Sequence, residues 1–152
     1  MDDRAIVERQ IGRRPRAFRR VTARCPFGRP AVTEQSPFDE NGAPFPTTYW
    51  LTCPHLVAAV SRLEAGGGVE RWSARARSDT ELASSLKDAT SEQRRLRPEL
   101  PLGIGGASRD GSLKCLHAHV AYALARPGYE LGRRILAELD PLWPADRCCS
   151  AD

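Results

Sequence analysis

The sequence predicts an α+β fold: a small N-terminal β element of two to three short strands, packed with a helical C-terminal half of about four helices. Three observations lead there. Residues 47–52, TTYWLT, concentrate the β-branched and aromatic side chains that suit a pleated surface. Beyond Pro54, apolar residues recur at helical spacing in blocks punctuated by Gly and Pro. A length of 152 residues, with 41% hydrophobic and 28% charged residues, suits one domain able to bury a core.

Each element has its own signal. Residues 2–11 carry Ile6, Val7 and Ile11 at near-helical spacing, and Pro15 stops that helix. Weak strand signals at 17–24 and 30–34 flank the turn CPFGRP. Residues 35–46 hold three prolines and an Asn-Gly pair, which reads as loop. A helix should run from Pro54 to about Ala65, with Leu56, Val57, Val60 and Leu63 on one face and GGG at 66–68 ending it. Ser78 opens SDTE, a capping box with Glu81, so a second helix runs from 79 to near Arg97. Its stripe is thin: Leu82, Leu86, Ala89 and Leu96. Pro98 and Pro101 close it, and LGIGGASRDG (102–111) is a glycine-rich loop with Asp110-Gly111 as turn chemistry. A third helix is expected over 112–126, capped by Ser112, and a fourth over 129–139 on Leu131, Ile135 and Leu139. The expected organisation is a basic segment (1–20), one α+β domain (21–140) and an irregular tail (141–152).

Net charge is +4, unevenly placed. Residues 1–30 hold nine Arg against three acids, while the remainder is slightly acidic. The cluster Arg13, Arg14, Arg16, Arg19 and Arg20 can contact an acidic protein or nucleic acid, although only Phe18 interleaves with it as a stacking surface. No apolar run reaches the roughly 20 residues of a membrane span, and MDDRAIVERQ lacks the apolar core of a signal peptide. Cytoplasmic residence is therefore the expectation. Five cysteines in such a chain point to metal binding, catalysis or packing rather than a disulfide framework.

Three cysteines occupy special places. Cys25 lies in RCPFG, a turn resembling half of a metal knuckle. Cys53 precedes Pro54, so it or Thr52 caps a helix, where the positive helix end should depress a thiol's pKa. Cys115 lies in KCLHAH; on one continuous helix it shares a face with His119 and Tyr122, opposite Leu113, Leu116, Val120 and Leu124. Cys25, Cys53, Cys115 and His119 would together make a Cys₃His set suited to a zinc ion, and the same donors could hold an iron–sulfur cluster. His55 and His117 are candidate proton carriers if the site is catalytic. Gly103, Gly105 and Gly106, with Lys114 nearby, could admit a phosphate, although GIGG matches neither the Walker nor the dinucleotide pattern. Cys148 and Cys149 read as incidental thiols in an irregular tail.

The blocks QIGRRPR (10–16), RCPFGRPAV (24–32), PFPTTYWLTCP (44–54), RLEAGGGV (62–69), GIGG (103–106) and KCLHAHVAYALA (114–125) resemble a bacterial, mainly actinobacterial family catalogued as domain of unknown function five hundred and one. The resemblance implies no established activity. It places Cys25, Cys53, Cys115, His117 and His119 within family-like blocks, and Cys148 and Cys149 outside them. Two classes of function are consistent with the chain: a small protein with a Cys/His metal or cluster site, or a non-enzymatic module that docks on acidic partners, nucleic acid or a phosphate ligand.

Overall fold

The computed structural model describes residues 2–109, 111 and 113–149. Three antiparallel strands come early and helices make up most of the chain beyond them, the α+β arrangement read from the sequence. The cap expected at Ser112 and the turn residue Asp110 lie outside the described residues.

Helix α1 (Asp3–Ile11) starts where the Asp2 carboxylate accepts the Arg4 amide and ends at Gly12, whose φ of 74° allows its N–H to reach the Glu8 carbonyl. Ile6 and Val7 are buried. The Gln10 side chain donates to the Pro30 carbonyl at 2.9 Å, and Arg24 meets Asp3 at 2.7 Å, so the helix is held against the sheet.

Strands β1 (Phe18–Arg24) and β2 (Pro30–Gln35) pair through a tight turn at 25–29, and β3 (Tyr49–Leu51) adds to the other edge of β2. Val21 lies opposite Thr33, and Val32 opposite both Ala23 and Leu51. Central β2 is buried at Ala31, Val32 and Thr33. The loop between β2 and β3 is anchored from a distance by the buried Arg97, which donates to the carbonyls of Phe45 and Gln35, each at 2.6 Å. The Gln93 amide donates to the Thr48 hydroxyl beside it.

Helix α2 (Pro54–Ala65) buries Leu56 and Val60 against the core. It is succeeded by α3 (Gly68–Ser78), a helix the sequence did not predict. Gly67 takes φ 86° and turns the chain, and Gly68 then sits so near Leu63 that an added Cβ would meet its carbonyl oxygen at 2.6 Å. The triple glycine thus joins two helices where a simple stop was expected. In α3 only Gly68, Trp72 and Ala76 are buried, so the apolar signal is slight.

Helix α4 (Thr80–Leu96) is capped by Asp79, which accepts the Leu82 amide at 3.1 Å. Ser78 belongs to the last turn of α3, so the cap falls one residue later than the motif suggests, and with Leu82 at its third helical position the expected Ser78–Glu81 capping box does not form. The buried stripe is Leu82, Leu86, Ala89 and Gln93, and Leu96 is exposed. A single 3₁₀ turn (Ile104–Gly106) leads to α5 (Leu116–Ala125), which is buried nearly all round and packs against β3, α2 and α6. Helix α6 (Glu130–Ala137) closes the fold through Leu131 and Ile135. Leu142 and Trp143 of the tail also pack on the core. Among the described residues, no helix is long and apolar enough to cross a membrane.

Candidate metal centre

The last turn of α2 and the first turn of α5 meet at one place, and the meeting gathers three donors. Glu64 extends from α2 and its Oε2 accepts the Leu116 amide at 2.7 Å. Leu116 is the first residue of α5, and its cap residue Cys115 makes no capping hydrogen bond of its own. A carboxylate from another helix therefore satisfies an N–H that would otherwise lack a partner, at the positive end of α5.

His117, also in that first turn, brings its Nδ1 to 3.2 Å from the same Glu64 Oε2. Its Nε2 lies 3.4 Å from the Val57 carbonyl and 3.2 Å from the Ser61 hydroxyl. Nε2 thus faces a carbonyl, which only accepts, and a hydroxyl, which can donate or accept, while Nδ1 faces the carboxylate, so the contacts suit either ring tautomer. Cys115 completes the group: one ligand atom each from Glu64, Cys115 and His117 lie within 4.8 Å of one another. Hydrogen bonding to Cys115 raises the His117 pKa against the effect of burial, with Glu64 adding to the rise. Burial pushes the Cys115 thiol up, but hydrogen bonds with His117 and the Ala118 amide outweigh it, leaving the thiol below its ordinary value. The side chains of His117 and Glu64 are 26% and 24% exposed, which leaves the group reachable from solvent.

The four residues expected to form a Cys₃His shell are not gathered as a set: among the described residues, Cys115 joins Glu64 and His117, and Cys25, Cys53 and His119 stand outside that group. The cause lies in where α5 begins. Cys115 has an extended backbone (φ −155°, ψ 155°), so it precedes the helix and does not share a helical face with His119. His119 instead points into the core, where its Nδ1 lies 2.7 Å from the Tyr129 hydroxyl and burial pushes its pKa down to about 4.

Cys25 is buried in the β1–β2 turn, and the turn's own amides are engaged: Cys25 N–H with Arg29 O, and Gly28 N–H with Cys25 O, both at 2.9 Å. Cys53 does cap α2 by backbone geometry, with Pro54 directly after it. Its thiol, however, is pushed up to about 12, chiefly by burial, which outweighs the hydrogen bond from the Leu56 amide, with neighbouring Cys149 adding to the rise and the His55 amide opposing it slightly. The helix end does not produce the depressed thiol its position suggests. His55 is half-buried at the start of α2.

The glycines of GIGG serve packing. Gly105 and Gly106 adopt φ of 69° and 79°, and a Cβ on Gly106 would meet Pro46 at 2.7 Å. The Gly103 and Gly106 amides bond to Ala107 O and Gly103 O, while Lys114 is exposed. Of the N-terminal arginines, Arg14 pairs with Glu40 at 2.8 Å, and Arg19 and Arg20 pair with Glu34 at 3.4 and 3.1 Å. Arg13 stacks over Trp50 with 5.0 Å to the ring centre, and Arg16 is exposed.

Glu64 is the residue that sequence reasoning missed. Its only local mark is its place at the end of a helix before three glycines, and 53 positions separate it from His117.

Fold and site together define a small α+β protein carrying a Glu/Cys/His group with the geometry to hold a metal ion. The chain belongs to the family described as Protein of unknown function (DUF501), whose model matches residues 21–102. That span includes Cys25, Cys53 and Glu64 and ends before Cys115 and His117. No match was found among curated proteins or among solved structures.

Proposed function

We propose that this chain binds a divalent transition-metal ion through Glu64, Cys115 and His117, with zinc the ion that best suits the donors. The observation that carries the reading is the approach of the His117 Nδ1 and Glu64 Oε2 atoms to 3.2 Å beside a thiol. An imidazole nitrogen and a carboxylate oxygen at that separation share a proton or a cation. Donors on a tetrahedral zinc ion stand roughly 3.3–3.7 Å apart, within the span of this group. One sulfur, one nitrogen and one oxygen donor suit zinc better than an iron–sulfur cluster, which draws mainly on thiolates. The Val57 carbonyl and Ser61 hydroxyl at Nε2 supply the outer support that holds a ligating imidazole in one tautomer.

Three protein donors leave a fourth position, so a bound ion could activate water or polarise a substrate oxygen. A second reading rests on the Cys115–His117 hydrogen bond itself: with a proton in place of a metal, the pair is a thiol activated by an adjacent imidazole. The interaction-module reading draws support from the Arg-rich N-terminus, tempered by the pairing of Arg14, Arg19 and Arg20 with Glu40 and Glu34.

Elemental analysis of anaerobically purified protein separates these readings. Stoichiometric zinc, lost in both Cys115→Ser and His117→Gln while the circular dichroism spectrum is retained, is the expected result. Visible absorption would identify a cluster instead. A metal-free protein whose Cys115 alkylates faster than a free thiol, and slows in His117→Gln, would favour the thiol–imidazole pair. Retention of zinc in Cys115→Ser would sink the proposal. For the interaction module, salt-sensitive binding of an acidic partner must vanish when residues 1–20 are removed.

A further inference from the structure

Away from the Glu64 group, two thiols that lie 96 positions apart in the chain meet at the junction between β3 and α2. The sulfurs of Cys53 and Cys149 are 3.7 Å apart, in van der Waals contact and unlinked. Their settings differ. Cys53 is buried to 2% exposure at the start of α2, whereas Cys149 is exposed. The tail that carries Cys149 is seated on the body of the protein, with Leu142 and Trp143 packed against the core and Cys148 buried.

We propose that Cys53 and Cys149 are a peroxide-oxidised dithiol pair, whose disulfide fastens the C-terminal tail to the β3–α2 junction. The exposed partner is the one an oxidant reaches. The Cys149 sulfur attacks a hydroperoxide, the O–O bond breaks, and Cys149 becomes a sulfenic acid as water or an alcohol leaves. The Cys53 sulfur then attacks that of Cys149. An S–S bond forms, the S–O bond breaks, and the Cys53 proton departs with the hydroxyl as water. Two thiols lose two electrons and two protons in all, and one peroxide is reduced.

The contact geometry favours this outcome over further oxidation. A disulfide needs its sulfurs at about 2.05 Å, so the pair must close by less than 2 Å. A sulfenic acid with a thiol already in contact is captured before a second peroxide arrives. Cys53 is shielded from solvent and so is available to Cys149 rather than to an external thiol.

The test is titration of the reduced full-length chain with hydrogen peroxide, alkylation of the remaining thiols, and peptide mass spectrometry without reduction. Cys25 and Cys53 share a tryptic peptide because Arg29 precedes proline, and Cys148 and Cys149 share another, so variants make the assignment. The expected result is a monomer lighter by two hydrogen atoms, with two of the five thiols lost to alkylation. The cross-link should persist in the Cys25→Ser/Cys148→Ser double variant and in Cys115→Ser, and disappear in Cys149→Ser. Cys149 is exposed, so that last variant keeps the fold even if Cys53→Ser does not. A cross-link that survives in Cys149→Ser, Cys149 running on to sulfinic acid with Cys53 still free, or a disulfide-linked dimer would each overturn the proposal.

Discussion

Replacing Gly132 with alanine puts one methyl group into the seam between α5 and α6. The new Cβ would stand 2.7 Å from the Ala123 Cβ, 2.7 Å from the His119 carbonyl oxygen and 2.8 Å from the Tyr129 ring. Two of those atoms belong to the α5 backbone or lie one bond from it, so neither can swing aside. The helices must separate, and overpacking of this kind costs about 1–3 kcal/mol. Alanine also has a better intrinsic helix propensity than glycine by about 1 kcal/mol, which acts in the opposite direction. Three contacts under 3 Å put the overpacking cost in the upper part of its range, about 2–3 kcal/mol, so the net expectation is a loss of about 1–2 kcal/mol, or a fall in Tm of about 2–8 °C for a chain of this size. Urea unfolding followed by far-ultraviolet circular dichroism measures it. The sign decides the matter: if α6 does not rest directly on α5, propensity alone acts and the variant becomes more stable. An unchanged or raised midpoint would refute the close approach.

Other perturbations test other joints. Burial works to raise the Glu92 pKa, but hydrogen bonds from Tyr122 and Arg126 outweigh it and leave the carboxyl below its ordinary value. A depressed carboxyl stabilises the fold above the usual carboxylate range and loses that contribution as pH falls through its folded pKa. Glu92→Gln should therefore cost about 1 kcal/mol at neutral pH, and urea midpoints should show the gap from the parent closing in acid. Arg97→Met strands the carbonyls of Phe45 and Gln35 and should cost about 2–4 kcal/mol in chemical denaturation, with no gain from the added apolar volume. Tyr129→Phe takes the partner from His119 Nδ1, and His119 Nε2 has none among the described residues. The resulting unpaired imidazole should lower stability by about 1–3 kcal/mol, again read from the urea midpoint.

What was legible in the sequence divides along a physical line. Local signals carried through: TTYWLT led to β3 at Tyr49–Leu51, Pro54 opened α2, and Leu131 with Ile135 marked the buried face of α6. Helix α3 escaped because Trp72 and Ala76 alone stand between charged neighbours, and its burial comes from packing against α4 rather than from a stripe. Gln93 took the core position expected of Leu96 because Thr48 offers its amide a partner, and no propensity scale contains that partner. The Cys115–His119 pairing assumed that α5 began earlier than it does. With Cys115 extended, the thiol turns toward His117 and Glu64, and that depends on a carboxylate arriving from α2. Long-range meetings of this sort, and the contact of Cys53 with Cys149, leave no mark in spacing.

The boundary of the family match has a consequence for how the chain can be divided. Residue 102 falls after α4, yet Leu51, Leu56 and Val60 share one core with Leu116 and Val120 of α5 beyond it. The stretch that makes the chain recognisable to its relatives is therefore not a self-sufficient body. Cut there, it would present its interior to water and seek another surface to cover it, including a second copy of itself. The unit that must be inherited, expressed or exchanged whole runs at least through α6.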